Sequence, residues 1–137
     1  MYKLSKRSLD TMVGVNPDLV KVIKEAIATS PYDFTITQGV RSAKYQNELY
    51  QQGRTKPGIK VTNADGYIKK SNHQMKVDGF GYAIDFAVLD KAKIDWDTES
   101  KYEAVARHIL EVGHKLGINL EWGGDWKFID YPHVQIA

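Results

Sequence analysis

The chain has 137 residues, of which 42% are hydrophobic and 26% are charged, and this length and balance indicate one globular domain. Its 19 basic and 17 acidic residues give a formal net charge of +2, so the charge does not require a nucleic-acid partner. No stretch approaches the ~18–20 consecutive apolar residues of a membrane span, and membrane insertion is not expected. The chain has no cysteine, which excludes disulfides, thiolate ligands and a cysteine nucleophile.

The amino-terminal part of the chain predicts two helical segments. Residues 5–12 are expected to form a short amphipathic turn with Leu9 and Met12 facing inward. Asn16 and Pro17 then have the residue types of a helix start, a side chain that caps and a proline at the first position. The predicted helix runs to about Thr29. Its apolar residues at helical spacing are Leu19, Val22, Ile23, Ala26 and Ile27.

The rest of the chain alternates between strand and helix signals. Residues 34–40 alternate apolar and polar side chains and predict a strand, and residues 43–52 predict a helix that ends at Gly53. Residues 54–70 have no sustained period and predict a long surface loop. A second strand is predicted over residues 82–88, a third helix over residues 99–116, and two short strands in the tail. This order predicts an α+β fold in which helices flank a small antiparallel sheet.

Four histidines are the only imidazoles available for chemistry. His108 and His114 lie six residues apart in the predicted third helix, so they point in different directions and are expected to be ordinary surface residues. His73 follows the long loop, and His133 stands on the last predicted strand. With Asp85, on the small-residue face of the second strand, they match the two histidines and one carboxylate of many catalytic zinc sites. Spacing alone leaves open a solvated His73, a salt-bridged Asp85 and a packed His133.

Four short sequence motifs follow one another along the second half of the chain. They are Ser71-Asn72-His73, Gly81-Tyr82-Ala83-Ile84-Asp85, Trp122-Gly123-Gly124-Asp125-Trp126 and Asp130-Tyr131-Pro132-His133. Together they resemble the zinc peptidoglycan peptidases of the D-Ala-D-Ala carboxypeptidase type, and among these the phage endolysins that cut the L-alanyl-D-glutamate bond. The likeness extends from about Pro31 to Ala137 and includes residues 37–42. It implies the hedgehog/D-Ala-D-Ala-peptidase-like fold and a bound Zn2+ ion.

Matched position by position, the resemblance implies that His73, Asp85 and His133 hold the zinc ion. It implies that Asp130, three residues before the last histidine, is the general base, with Asp125 as the reserve candidate. Arg41, at the end of the first strand, matches the family's substrate-facing arginine; the alternative is a surface arginine that caps a sheet edge. Substrate contacts are also expected from Gln38, Ser71, Trp122 and Trp126, each of which has a purely structural alternative.

The sequence departs from the family pattern between the first histidine and the glycine of the next motif. The family has two residues there, whereas this chain has the seven residues from Gln74 to Phe80. Asp78-Gly79 is a typical turn pair, so we expect a looped-out extension that leaves both ligands in place. The alternative is that Asp78 replaces Asp85 as a ligand.

The resemblance implies one catalytic domain over residues 1–137, without a separate wall-binding domain, that cuts the L-Ala–D-Glu bond of the peptidoglycan stem peptide. Such an endolysin is expected to be a monomer that stays in the host cytoplasm until a separate membrane-permeabilising protein releases it to the periplasm and wall. Two alternatives remain. One is a D-Ala-D-Ala carboxypeptidase in which Arg41 binds the terminal carboxylate, and the other is a zinc-stabilised binding module without catalysis.

Overall fold

The structure, a computed structural model, describes residues 1–137 and contains four helices and five strands. The helices are Lys6–Thr11 (α1), Pro17–Thr29 (α2), Ala43–Gln51 (α3) and Glu99–Lys115 (α4). The strands are Asp33–Gln38 (β1), Ala83–Asp90 (β2), Lys93–Asp95 (β3), Leu120–Trp122 (β4) and His133–Ile136 (β5), and a 3-10 turn spans Gly123–Asp125. None of the helices combines the length and the apolar character that a bilayer crossing needs.

The strands form one antiparallel sheet in the order β1-β2-β5-β4, and β3 pairs with the end of β2. The predicted α+β class is therefore confirmed. The hairpin that forms β3 was not predicted. It turns through Lys91 and Ala92, whose φ angles of 49° and 65° lie in the left-handed region. Asn and Gly are the usual residues in such turns, so the sequence carries no turn signal at this point.

The core lies between the sheet and the two long helices α2 and α4. All five apolar residues predicted for the inner face of α2 are buried. The ring of Phe86 in β2 stacks on Tyr102 of α4 with centroids 5.3 Å apart and meets Phe34 of β1 edge-on at 6.0 Å. Such rings remove large apolar areas from water and set the angle between helix and sheet.

Helix α1 corrects one prediction. Met12 is buried as expected, but Leu9 is 41% exposed. The buried residue of α1 is Ser8, whose hydroxyl contacts Thr35 Oγ1 at 2.9 Å and accepts a hydrogen bond from the Ile36 amide at 3.0 Å. The helix therefore joins β1 through a buried hydroxyl, and hydropathy does not indicate such a contact.

The two faces of the sheet have different chemistry. Side chains of β2 alternate, so Asp85 points away from the face on which Ile84 and Phe86 enter the core. In β5, Val134 enters the core and His133 points to the other face. The antiparallel register pairs Asp85 directly with His133. Strand pairing alone therefore brings two of the predicted ligands side by side.

Candidate metal centre

Three side chains converge on the polar face of the sheet. Asp85 and His133 are neighbours across strands, and His73 reaches them from the loop that follows the long surface segment. His73 Nε2 lies 3.2 Å from His133 Nδ1 and 3.2 Å from Asp85 Oδ1, and His133 Nδ1 lies 3.3 Å from Asp85 Oδ1. The three predicted metal ligands therefore form one compact triangle of donor atoms.

His73 is held from both its backbone and its ring. The His73 carbonyl accepts a hydrogen bond from the Arg41 amide at 2.9 Å, and the ring Nδ1 donates to the Gly39 carbonyl at 2.9 Å. A proton on Nδ1 leaves the lone pair on Nε2, which faces the triangle. Gly39 has to be glycine, because a Cβ at this position would overlap the Thr11 carbonyl oxygen.

His133 is oriented by Gln135, which lies two residues further along β5. The His133 Nε2 atom is 2.8 Å from Gln135 Oε1, and an amide oxygen only accepts, so the proton is on Nε2 and the lone pair on Nδ1. The Gln135 amide nitrogen donates to Glu121 Oε2 at 3.3 Å, which fixes the amide orientation, and Asn72 Nδ2 donates to the same Gln135 oxygen at 2.9 Å. Gln135 and Asn72 received no role from the sequence, although the alternation of β5 places Gln135 on the polar face.

The donor triangle fits a metal ion. Two imidazole lone pairs face Asp85 Oδ1, and this oxygen is buried without a hydrogen-bond partner. Three electron-rich atoms so arranged repel one another unless a cation lies between them. In a tetrahedral zinc site with bonds of about 2.0–2.1 Å, ligand atoms are about 3.3–3.4 Å apart, and the observed separations agree closely. A set of two nitrogen donors and one oxygen donor also suits zinc better than it suits magnesium or calcium, which prefer oxygen ligands.

The pKa shifts of Asp85 and His133 also favour positive charge at the triangle. Burial disfavours ionised Asp85, but the rings of His133 and His73, when they carry a second proton, outweigh this and hold the pKa of Asp85 well below its usual range. Burial likewise disfavours a charged His133, yet Asp85 outweighs it and raises the pKa of His133.

Asp130 lies at the open side of the triangle. Its Oδ2 is 3.9 Å from His133 Nδ1, and its side chain is 43% exposed. Burial and the charge of Asp85 raise the pKa of Asp130, which suits a group that takes up a proton and returns it. Asp125, the reserve candidate, instead forms a two-pronged ion pair with Arg107 at 2.6 and 2.7 Å and does not line the cleft. The position of Asp130 therefore favours it over Asp125.

The Arg41 guanidinium is anchored at three points. It donates from Nη2 to Asp85 Oδ2 at 3.0 Å, from Nε to Gln38 Oε1 at 3.1 Å and from Nη1 to Gln46 Oε1 at 3.3 Å. Two of its five N–H groups stay free, and the side chain lines the cleft. Gln38 does not line the cleft over the triangle but holds Arg41 Nε, and its predicted substrate contact stays a prediction. Arg41 therefore both steadies a predicted ligand and faces the open space.

Gln46 is a member of this network that the sequence did not reveal. It is fully buried on α3. Its amide nitrogen donates to the Ala64 carbonyl at 3.1 Å and to Thr62 Oγ1 at 3.2 Å, while its oxygen accepts from Arg41. Gln46 thus connects Arg41 to the long surface loop. A buried glutamine has no hydropathy signal, and its position within the segment that resembles the family is the one hint the sequence offers.

A cleft of about 500 Å3 lies over the triangle. Ser71 and Trp126 line it, and the Trp126 ring centroid is 5.0 Å from that of His133; their substrate contacts stay predictions. Ser71 also accepts a hydrogen bond from the His73 amide at 3.1 Å. Trp122 does not line the cleft: it is 2% exposed, lies in the core and donates from Nε1 to the Tyr131 carbonyl at 2.7 Å. The predicted substrate contact of Trp122 is therefore wrong, because its strand register with Val134 turns it to the apolar face.

The insertion from Gln74 to Phe80 forms a small closed loop. The Lys76 amide donates to the Phe80 carbonyl at 2.9 Å, and Gly79 has a φ of +84° at the turn. Asp78 accepts from the Phe80 amide and from the Tyr82 hydroxyl, away from the donor triangle. The loop therefore leaves both neighbouring ligands in place, and Asp78 does not replace Asp85 in the cluster.

Comparison with known proteins decides the family. The sequence model of the family described as phage L-alanyl-D-glutamate peptidase matches residues 1–135. The chain belongs to the phage L-alanyl-D-glutamate peptidase family. Within the L-alanyl-D-glutamate peptidases, it is 43% identical over 134 residues to the peptidoglycan L-alanyl-D-glutamate endopeptidase CwlK of Bacillus subtilis (strain 168), with 93% of this chain and 73% of that protein covered. It is 33% identical over 135 residues to the L-alanyl-D-glutamate peptidase of Escherichia phage T5, with 98% and 89% covered.

Solved structures agree with this membership in the L-alanyl-D-glutamate peptidase family. The crystal structure of the L-Ala D-Glu endopeptidase ChiX of Serratia marcescens matches with a TM-score of 0.77 and 29% identity, over 96% of this chain and 87% of that chain. The vancomycin resistance D,D-dipeptidase VanXYg matches with a TM-score of 0.56 and 17% identity, over 89% of this chain and 50% of that chain. The second likeness shows a shared fold. The predicted fold type is thereby confirmed.

Proposed function

We propose that the chain is a zinc-dependent endopeptidase that hydrolyses the L-Ala–D-Glu bond of the peptidoglycan stem peptide. The observation that carries this proposal is the triangle of His73, Asp85 and His133, which opens onto a cleft with Asp130 beside it. The proposed bond is the one named for the B. subtilis and phage T5 relatives and for ChiX. The donor set supports zinc as the ion.

The proposed mechanism assigns one carboxylate to both proton transfers. Bound zinc would act as a Lewis acid that makes water a nucleophile near neutral pH and polarises the peptide carbonyl. Asp130 takes the proton from the water as its oxygen bonds to the alanine carbonyl carbon. Asp130 then delivers that proton to the D-glutamate nitrogen as the C–N bond breaks, so the products are a carboxylic acid and an amine. The position of Asp130, with Oδ2 3.9 Å from His133 Nδ1 and its side chain on the cleft, supports both proton transfers.

Arg41 supports the reaction from the other side of Asp85. Its Nη2 holds the Asp85 oxygen that does not belong to the triangle, which fixes the orientation of this carboxylate. Its side chain lines the cleft and keeps two unbonded N–H groups, which suits it to stabilise negative charge that develops on the carbonyl oxygen. Replacement by lysine would keep a charge but lose the fork that contacts Asp85, Gln38 and Gln46 together.

Digestion of purified peptidoglycan tests this proposal. Zinc-loaded protein and a chelated control are incubated with the wall, and the released ends are identified by mass spectrometry and end-group labelling. Zinc-dependent appearance of N-terminal D-Glu is the expected result. Release of free D-Ala would instead establish a carboxypeptidase, and no product on several wall types would favour a zinc-stabilised binding module.

The site of action stays a prediction that the resemblance implies. The enzyme is proposed to act as a monomer and to reach the wall from the host cytoplasm after a separate protein permeabilises the membrane. Analytical ultracentrifugation of the purified chain and fractionation of producing cells before and after membrane lesion test the two parts. A stable dimer, or wall cleavage before any lesion, would contradict them.

A further inference from the structure

Positive charge is concentrated along one part of the chain. Six of the 19 basic residues and one of the 17 acidic residues lie within residues 54–76, so this segment carries a net charge of +5 while the rest of the chain carries −3. The same segment forms one wall of the cleft over the donor triangle. The small overall charge therefore conceals a basic segment, and two of its six basic residues, Lys69 and Lys70, line the cleft beside the proposed catalytic centre.

Two lysines of this wall line the cleft without a carboxylate partner. Lys69 and Lys70 are exposed, and neither takes part in any ion pair of the structure. Arg41, the other cation of the cleft, is already paired with Asp85. The uncompensated cationic groups that a ligand meets in this cleft are therefore Lys69 and Lys70.

The backbone that carries these lysines is ordered by specific bonds. Asp65 Oδ1 accepts three successive amide hydrogen bonds, from residues 67–69, at 3.2, 3.1 and 2.8 Å. The Gly66 amide closes the turn on the Lys69 carbonyl at 3.0 Å, and the buried Gln74 side chain donates to the Gly66 carbonyl at 2.9 Å. Asp65 Oδ1 is thus engaged by backbone amides, and Asp65 forms no ion pair with Lys69 or Lys70. The turn presents both ammonium groups on a defined wall.

The proposed substrate has an anionic group next to its scissile bond. The D-glutamate whose amine forms that bond has two carboxyl groups, and the peptide continues through only one of them. The second is either a free carboxylate or, where the wall is amidated, a neutral carboxamide. We propose that Lys69 and Lys70 bind this free carboxylate, so that the enzyme selects stem peptides with an unamidated D-glutamate. The inference rests on the proposed function, because it places the L-Ala–D-Glu bond at the triangle.

The physical basis is the loss of charge attraction on amidation. A carboxylate between two ammonium groups gains charge-assisted hydrogen bonds that a carboxamide cannot replace, since a carboxamide has no net charge and presents donors as well as acceptors to the lysines. Because both lysines are exposed, the gain is moderate, and we expect about a tenfold preference in kcat/KM. The preference should shrink as ionic strength rises, because salt screens exposed charges.

Two synthetic stem peptides test this inference, one with the free carboxylate on D-glutamate and one with the carboxamide. The kcat/KM of the zinc-loaded protein is measured on both, for the natural chain, for the double variant K69A/K70A and for K69R/K70R. The natural chain and K69R/K70R are expected to prefer the peptide with the free carboxylate. K69A/K70A is expected to cut both peptides with nearly the kcat/KM that the natural chain has on the carboxamide peptide. The matched control is Lys60→Ala, an exposed lysine of the same segment outside the cleft lining, which should keep the full preference.

Three outcomes separate the possible failures. Equal cleavage of both peptides by the natural chain would overturn the selection of unamidated D-glutamate while leaving the proposed function intact. A preference that survives unchanged in K69A/K70A would overturn the assignment to these lysines. Cleavage of neither peptide would overturn the proposed function itself, and this inference with it.

Discussion

Replacing Gln135 with leucine should weaken zinc binding although no ligand changes. Gln135 Oε1 accepts from His133 Nε2 at 2.8 Å and so keeps the proton on that nitrogen and the lone pair on Nδ1. In the variant, Nε2 loses this acceptor and the neutral ring is free to carry its proton on Nδ1. Asp85 Oδ1, 3.3 Å away, then accepts that proton and stabilises the form of His133 that does not bind metal.

The expected size follows from the known effect of such outer partners. Removing the group that orients a metal-binding histidine typically lowers affinity by about 10–100-fold, or about 1.4–2.7 kcal/mol. We expect the upper part of this range, because Asp85 Oδ1 has no other hydrogen-bond partner and is buried. Leucine has a similar length, and the backbone pairing of β5 with β2 and β4 does not involve the side chain. The fold should therefore be kept.

Competition against a chelator of known zinc affinity measures the effect, and NMR of the histidine ring nitrogens reports which nitrogen of His133 carries the proton. The matched control is Glu121→Gln, since Glu121 contacts Gln135 but not His133. It should change zinc affinity by less than about threefold, as expected for an exposed neighbour. An unchanged zinc affinity in a folded Gln135→Leu protein would refute the argument that Gln135 sets the protonation of His133.

Three further predictions concern the base, the ligand set and the core. Asp130→Ala should lower kcat on a stem peptide by about 10²–10⁴-fold without loss of zinc, whereas Asp125→Ala should keep a kcat close to that of the natural chain. An equal loss of kcat in both variants would contradict the assignment of Asp130 as the base. Asp85→Ala should abolish zinc binding and Asp78→Ala should keep it, and metal analysis showing the reverse would reassign the ligand. Phe86→Ala should lower the free energy of unfolding by about 3–5 kcal/mol in urea titrations, since Phe86 is fully buried; a loss below about 1 kcal/mol would contradict its place in the core.

Local periodicity was sufficient to predict the elements that carry the site. The buried face of α2 and the long helix α4 follow from apolar residues at helical spacing. The alternation of β2 was enough to place Asp85 on the face opposite Ile84 and Phe86, and that of β5 did the same for His133. Family resemblance then joined His73 to them, although 60 residues separate the two histidines in the chain.

The tertiary structure alone decided which polar groups support the site and which aromatic ring faces it. Trp122 and Trp126 flank the same Gly-Gly pair, yet the pairing of Trp122 with Val134 turns the first into the core while the second lines the cleft. Gln46 and Gln135 act through partners distant in sequence or on a neighbouring strand. Periodicity reports burial from neighbours along the chain. A hydrogen bond depends on the distance and direction between two atoms, and only the folded chain determines these.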